Sequence, residues 1–370
     1  MPVMLTHDTS IDYDVQGNGS PLLLIGGLGF GRWCWFKQIP TLSRHFSTIT
    51  FDIRGEHSFA RGVVDLAAEV IALLDYLGVE KTHVLGTSLG GFVAQELALE
   101  RPDLVDRLTL VCTSYGGVGP EPISFQALGR MLGWGSLSAE DAAHRSLETA
   151  TSEAYRASNP EEFDLIVRWR LADSPSLSDY SQQVMAGARF DSSRDVGNIT
   201  SPTLVVHGAE DRYIPVANAV ALAEAIPDAR LRVIEDAAHL VFIEQSEEVN
   251  KEIVSFLKPG KLRKIWRPQL PPVKQRTKQL IERVEEANQK LVSFARTRKP
   301  RREQGSHEPS GEQKAKQPRK DDSARETRGA RKPLQKAKES PAFGKLKGWI
   351  QRQSQVPGDW ARKLRGWLSR

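Results

Sequence analysis

Gly86-Thr87-Ser88-Leu89-Gly90-Gly91 lies between a short apolar run at 82–85 and a helix-periodic segment at 92–99. A chain that must turn from strand into helix this abruptly has room for a side chain at few positions. Glycines therefore flank Ser88, and its hydroxyl is thrust above the sheet edge. A serine so placed demands a strand before it and a helix after it, which already restricts the fold.

The rest of the first 260 residues keeps the same rhythm. Apolar strand-like runs fall at 21–25, 47–52, 82–86, 107–112, 203–207 and 231–234. Helical spacing appears at 64–77 (Leu66, Val70, Leu73, Leu74 and Leu77, stopped by Gly78), at 92–99 and at 216–225. The strands are continuously apolar rather than alternating, which predicts burial on both faces of a mostly parallel sheet with helices on each side. Residues 3–15 alternate loosely ahead of Gly17-Asn18-Gly19, which predicts an edge hairpin. Residues 120–197 show no strand pattern but helical stretches near 121–133, 138–150, 159–173 and 176–188, as expected of an all-helical cap inserted between two strands.

Charge divides the 370-residue chain. Residues 261–370 carry a net charge of +20, and residues 1–260 a net charge of −15. This predicts four parts: an α/β domain over 1–260, a Pro-rich linker and amphipathic helix over 261–298, a disordered basic segment over 299–342, and basic amphipathic helices over 343–370. The stripe Val273, Thr277, Leu280, Val284, Ala287, Leu291, Phe294 supports the second part. The near absence of large apolar residues from 299 to 341 supports the third. No run is long and apolar enough to span a membrane, and residues 1–15 lack the basic and apolar regions of a secretory signal. Two cysteines, Cys34 and Cys112, make no disulfide framework. The expectation is a reducing, cytoplasmic setting. Neither they nor the histidines fall at metal-ligand spacing, and no metal or cofactor is expected.

A serine hydroxyl needs a neighbouring base. In this kind of site the acid and then the histidine follow the nucleophile in the chain. His239, just past the last strand, is the base candidate; Asp211 and its neighbour Glu210 are rival acids. His57 lies near the end of a strand and is a candidate substrate contact. The other histidines read as exposed or packed. Backbone N–H groups of Leu89 and, in the loop Gly26-Gly27-Leu28-Gly29, of Leu28 are candidate donors to a developing oxyanion.

Four motifs carry a family resemblance: Ile25-Gly26-Gly27-Leu28-Gly29, Phe51-Asp52-Ile53-Arg54-Gly55, Gly86-Thr87-Ser88-Leu89-Gly90-Gly91, and Gly208-Ala209-Glu210-Asp211 with a later His239. Residues from about 10 to 258 resemble α/β hydrolases with a helical cap. Within them the chain is similar to carboxylesterases, enol-lactonases, haloperoxidase-like esterases and polyhydroxyalkanoate depolymerases. The resemblance implies Ser88 as nucleophile, His239 as base, Asp211 as its orienting acid, and Leu28 and Leu89 as the oxyanion hole. Asp211 is preferred over Glu210 because Arg212-Tyr213-Ile214-Pro215 follows it. Two departures stand out. Gly26 replaces a frequent histidine, removing a support of the loop, and His57 replaces a frequent glycine beside a short loop, altering the pocket mouth. A serine nucleophile argues against dehalogenase and epoxide hydrolase chemistry.

Trp33, Trp35, Phe36, Met131, Trp134, Trp169 and Phe242 are candidate pocket walls. The leading expectation is hydrolysis of a carboxylic ester or lactone through an acyl-enzyme. The rival is a non-catalytic scaffold acting through its tail, which the complete Ser, Asp and His set disfavours. In the tail, Phe343, Leu346, Trp349 and Ile350 share one face, as do Trp360, Leu364, Trp367 and Leu368, with cations elsewhere. That pattern fits an anchor on an anionic membrane or lipid granule. Nucleic acid or another polyanion is the second choice, and a bland solvated tail the third.

Overall fold

The structure, a computed structural model, describes residues 2–5, 10–54, 62–117, 121–133, 135 and 138–258. Eight strands form one sheet: β1 (Val3–Leu5), β2 (Ser10–Gln16), β3 (Ser20–Ile25), β4 (Phe46–Arg54), β5 (Thr82–Thr87), β6 (Val105–Val111), β7 (Thr203–Gly208) and β8 (Ala229–Ile234). Their spatial order is β1-β2-β4-β3-β5-β6-β7-β8. β1 pairs antiparallel with β2, and β2 with β4. Every pairing from β4 through β8 is parallel.

The apolar runs divide their residues between two cores. Leu23, Ile25, Val84 and Val205 face one; Leu22, Leu24, Leu85, Leu204 and Val206 face the other. Period-two geometry points successive side chains to opposite faces, so a strand covered on both sides must be apolar throughout. The first face is covered by α2 (Val63–Tyr76), α3 (Leu89–Glu100) and α9 (Val216–Ala225); the second by α1 (Ile39–Leu42) and α11 (Ser246–Leu257).

Between β6 and β7 lie α4 (Phe125–Met131), α5 (Ala139–Ala150), α6 (Glu153–Ser158), α7 (Pro160–Ala172) and α8 (Leu177–Arg189). Ser124, Ser138, Ser152 and Ser176 each cap a helix by accepting an N–H three residues on. The short α6 was not foreseen, nor were α10 (Val241–Glu244) and α11 after His239. The edge hairpin expected from 3–15 is β1 with β2, but Gly17 and Gly19 do not close a second hairpin. With φ of +86° and +139° they turn the chain into β3, and β4 inserts between β2 and β3. Among the described residues no helix is long and apolar enough to cross a membrane. The linker, disordered segment and tail helices expected beyond 260 lie outside the described residues.

Candidate active site

Every candidate group stands past the carboxyl end of a strand. Ser88 follows β5, Gly27 and Leu28 follow β3, Asp211 follows β7, and His239 follows β8. In a parallel sheet this edge collects the loops that bind ligands.

Ser88 has φ +53° and ψ −119°, a conformation side-chain-bearing residues rarely adopt. Its neighbours explain how that is held. A Cβ on Gly86 would collide with the Gly90 carbonyl, and one on Gly90 with the Ile25 and Gly26 carbonyls. The Ser88 N–H donates to Val111 O at 3.0 Å, and Thr113 Oγ1 donates to Ser88 O at 2.9 Å. A Cβ on Gly27 would sit 3.2 Å from Ser88 Cβ, so the loop after β3 passes directly against the serine.

His239 Nδ1 lies 2.7 Å from Asp211 Oδ2. A carboxylate can only accept, so Nδ1 carries a proton, and in the neutral ring Nε2 is the nitrogen with the free lone pair. Asp211 Oδ1 accepts the N–H groups of Tyr213 (2.9 Å) and Ile214 (3.0 Å). Burial pushes the Asp211 carboxyl up, but the His239 charge, the hydrogen bond from His207 and that from His239 together outweigh it. They hold the carboxyl well below the usual carboxylate range. Glu210, the rival acid, is exposed to solvent. Asp236 is also exposed and, at φ +53°, turns the loop ahead of His239.

His207 had been read as a packed residue. It is fully buried, and its Nε2 donates to Ile214 O at 2.7 Å and lies 3.3 Å from Asp211 Oδ2. It thus braces the acid's loop. The sequence also gave no metal spacing, yet the fold brings Cys112, His207 and Asp211 ligand atoms within 4.8 Å of one another. These residues come from β7, its following loop and the loop after β6, so linear spacing could not reveal them. Burial first, then the Asp211 charge, raises the Cys112 thiol well above its ordinary value. The Asp211 oxygens are already engaged by His239, Tyr213 and Ile214.

Ser88, His239, Leu28 and Leu89 all line one cavity of about 400 Å³ between sheet and cap. Of the candidate walls, Met131 and Phe242 line it. Trp33, Trp35, Phe36 and Trp169 do not. Trp33 packs on Phe30 (5.2 Å) and Trp169 (5.9 Å), and Phe36 packs on Trp169 (4.9 Å). Trp35 is buried behind Phe242, 5.1 Å between centroids. The 3-10 turn at Arg32–Trp35 brings Trp33 and Trp35 to the second core, where Phe36 and Trp169 of α7 also pack, so these rings back the wall instead of forming it. His57 and Trp134 lie outside the described residues.

Support for the Gly26-Gly27-Leu28-Gly29 loop comes from the cap: the Gly29 N–H donates to Gln183 Oε1 on α8 at 2.8 Å. Arg170 and Tyr180 also line the cavity, and neither was foreseen. A lone polar residue in a helical pattern carries no mark of the site it faces.

The model of the α/β hydrolase fold matches residues 20–246. The chain belongs to the α/β hydrolase family. It is 29% identical over 259 residues to an Agrobacterium fabrum protein named as a carbamate hydrolase, a match covering 65% of this chain and 93% of that protein. It is 28% identical over 269 residues to the 2-hydroxy-6-oxo-6-phenylhexa-2,4-dienoate hydrolase of Comamonas testosteroni, covering 68% and 92%. The enol-lactonase of Burkholderia xenovorans superposes with a TM-score of 0.62 at 24% identity, covering 69% of this chain and 99% of that one, a likeness of fold. This α/β hydrolase is thus a hydrolase by family.

Proposed function

We propose that the chain is a serine hydrolase cleaving a carboxylic ester or lactone through an acyl-enzyme. The observation that carries this reading is the 2.7 Å His239–Asp211 contact beside a cavity into which the strained Ser88 also opens. Ser88 Oγ attacks the carbonyl carbon while its proton passes to His239 Nε2, and the carbonyl electrons move onto oxygen. The N–H groups of Leu28 and Leu89 stabilise that oxyanion. Collapse of the intermediate breaks the bond to the leaving alkoxide, which takes the proton from His239. Water then attacks the acyl-Ser88, again giving its proton to His239, and the acid leaves as Ser88 is restored. Asp211 holds the ring in the required tautomer and stabilises its charged form throughout.

The relatives are named for different substrates, but each name describes hydrolysis. The test is fluorophosphonate labelling of the full chain. Labelling at Ser88, lost in Ser88→Ala and His239→Ala, supports the reading; no labelling of the wild type overturns it.

The basic tail is proposed to dock the enzyme on an anionic lipid surface in a reducing, cytoplasmic compartment. Support comes from the Trp/Leu faces and cations of residues 343–370. The free, buried Cys34 and Cys112 accord with that compartment.

A further inference from the structure

The catalytic cavity contains one arginine among its described lining residues, Arg170 on α7. Its guanidinium carbon lies 5.8 Å from the Phe30 ring centroid and 5.5 Å from that of Tyr180. The Tyr180 hydroxyl donates to Met131 O at 2.7 Å. Among the described residues no carboxylate lies within ion-pair distance of Arg170. Asp173, one turn on, is the carboxylate that acts on it, at longer range.

The guanidinium also abuts the oxyanion loop. A Cβ on Gly29 would collide with it, and Gly29 is two residues from Gly27, which touches Ser88. Two residues span at most about 7 Å, so one short loop links the cation to Ser88, and both line the same cavity. Burial lowers the guanidinium's pKa from its ordinary value, with Tyr180 opposing. Partly dehydrating a cation without a counter-ion at contact distance is unfavourable. An anionic group entering the cavity would supply the missing partner.

We propose that Arg170 is an anion subsite, and that the substrate carries a carboxylate a few bonds from the carbonyl that Ser88 attacks. The proposal rests on the serine-hydrolase reading. A carboxylate is the fitting anion because a planar guanidinium fork matches its two oxygens, and one arginine balances one charge. Phe30 and Tyr180 flank the guanidinium, which limits the side-chain ordering that binding requires.

The test compares 4-nitrophenyl hexanoate with the mono-4-nitrophenyl ester of adipic acid on the full chain. Their acyl chains have equal length, and only the second ends in a carboxylate. The wild type is expected to favour the adipate ester in kcat/KM. Arg170→Met should lower kcat/KM for that ester tenfold or more, mainly through KM, and change the hexanoate value less than threefold. Arg170→Lys, which keeps the charge and much of the packing, should fall between. Equal losses on both esters would make Arg170 a structural strut and overturn the proposal, as would no wild-type preference. Fluorophosphonate labelling separates the two readings: a labelled Ser88 without ester discrimination sinks the subsite alone, whereas an unlabelled wild type sinks the catalytic reading.

Discussion

Glu244 Oε2 accepts the N–H of Ser152 at 2.8 Å, across 92 residues of sequence. Its other oxygen accepts the N–H of Ala238, beside His239, at 3.1 Å. One carboxylate thus ties the start of α6 in the cap to the histidine loop, and the Leu240 N–H adds a second tie to Ala150 O at 2.9 Å. Burial raises the Glu244 carboxyl, although the Ser152 and Ala238 N–H groups oppose it. Glu244→Gln turns an NH₂ toward one of two N–H donors. It should reduce unfolding stability by about 1–3 kcal/mol, measured by urea titration. Stability unchanged within about 0.5 kcal/mol would show that the tie is unimportant.

Asp211→Asn should lower kcat by roughly four orders of magnitude, because the amide can present the wrong hydrogen-bonding partner to His239 Nδ1. Glu210→Gln should change kcat less than twofold, since Glu210 is exposed. A reversed pattern in steady-state ester hydrolysis would make Glu210 the acid. The pH profiles of stability follow from the two carboxyl shifts. Asp211 is lowered on folding, so its contribution is present above its unfolded value and lost as pH falls toward its folded one. Glu244 is raised, so its contribution is present at low pH and lost as pH rises through its folded value. Asp211→Asn should flatten the first arm, and Glu244→Gln the second, in melting curves taken across acid pH.

Gly90→Ala should be far more damaging than Gly62→Ala. A methyl at Gly90 meets the carbonyls of β3 and its following loop, which cannot give way. One at Gly62 meets nothing closer than 3.8 Å. The expected loss at Gly90 is about 1–3 kcal/mol or more, with most activity gone. Comparable melting temperatures for the two variants would contradict the close approach at the elbow.

Trp360→Ala combined with Trp367→Ala should weaken flotation of the full chain on anionic vesicles, and added salt should weaken it further. Flotation indifferent to the double substitution would remove the lipid-anchor proposal. Tight single-stranded oligonucleotide binding without flotation would assign the tail to a polyanion instead.

The fold was legible because its signals are local. Runs such as Leu22–Ile25 must be buried on both faces, and Gly86 and Gly90 leave Ser88 one way to turn. The four cap helices expected at 121–133, 138–150, 159–173 and 176–188 were legible from periodicity, three of the observed ones begun by capping serines. The six residues of α6 were too few to show a period. The wall aromatics were misplaced for a related reason: Trp33, Trp35 and Trp169 have the composition of a pocket and the positions of a core, and hydropathy does not tell the two apart.

The sequence by itself determined the apolar parallel strands, the turn at Ser88 and the chain order of Ser88, Asp211 and His239, because each depends on neighbours within a few residues. Only the tertiary structure decided that Asp211 and not Glu210 meets His239, that His207 braces that acid, that Gln183 holds the Gly26–Gly29 loop, and that Arg170 reaches the cavity. Those contacts join loops and helices far apart in the chain. Their geometry is set by how the cap packs on the sheet, which no local pattern encodes.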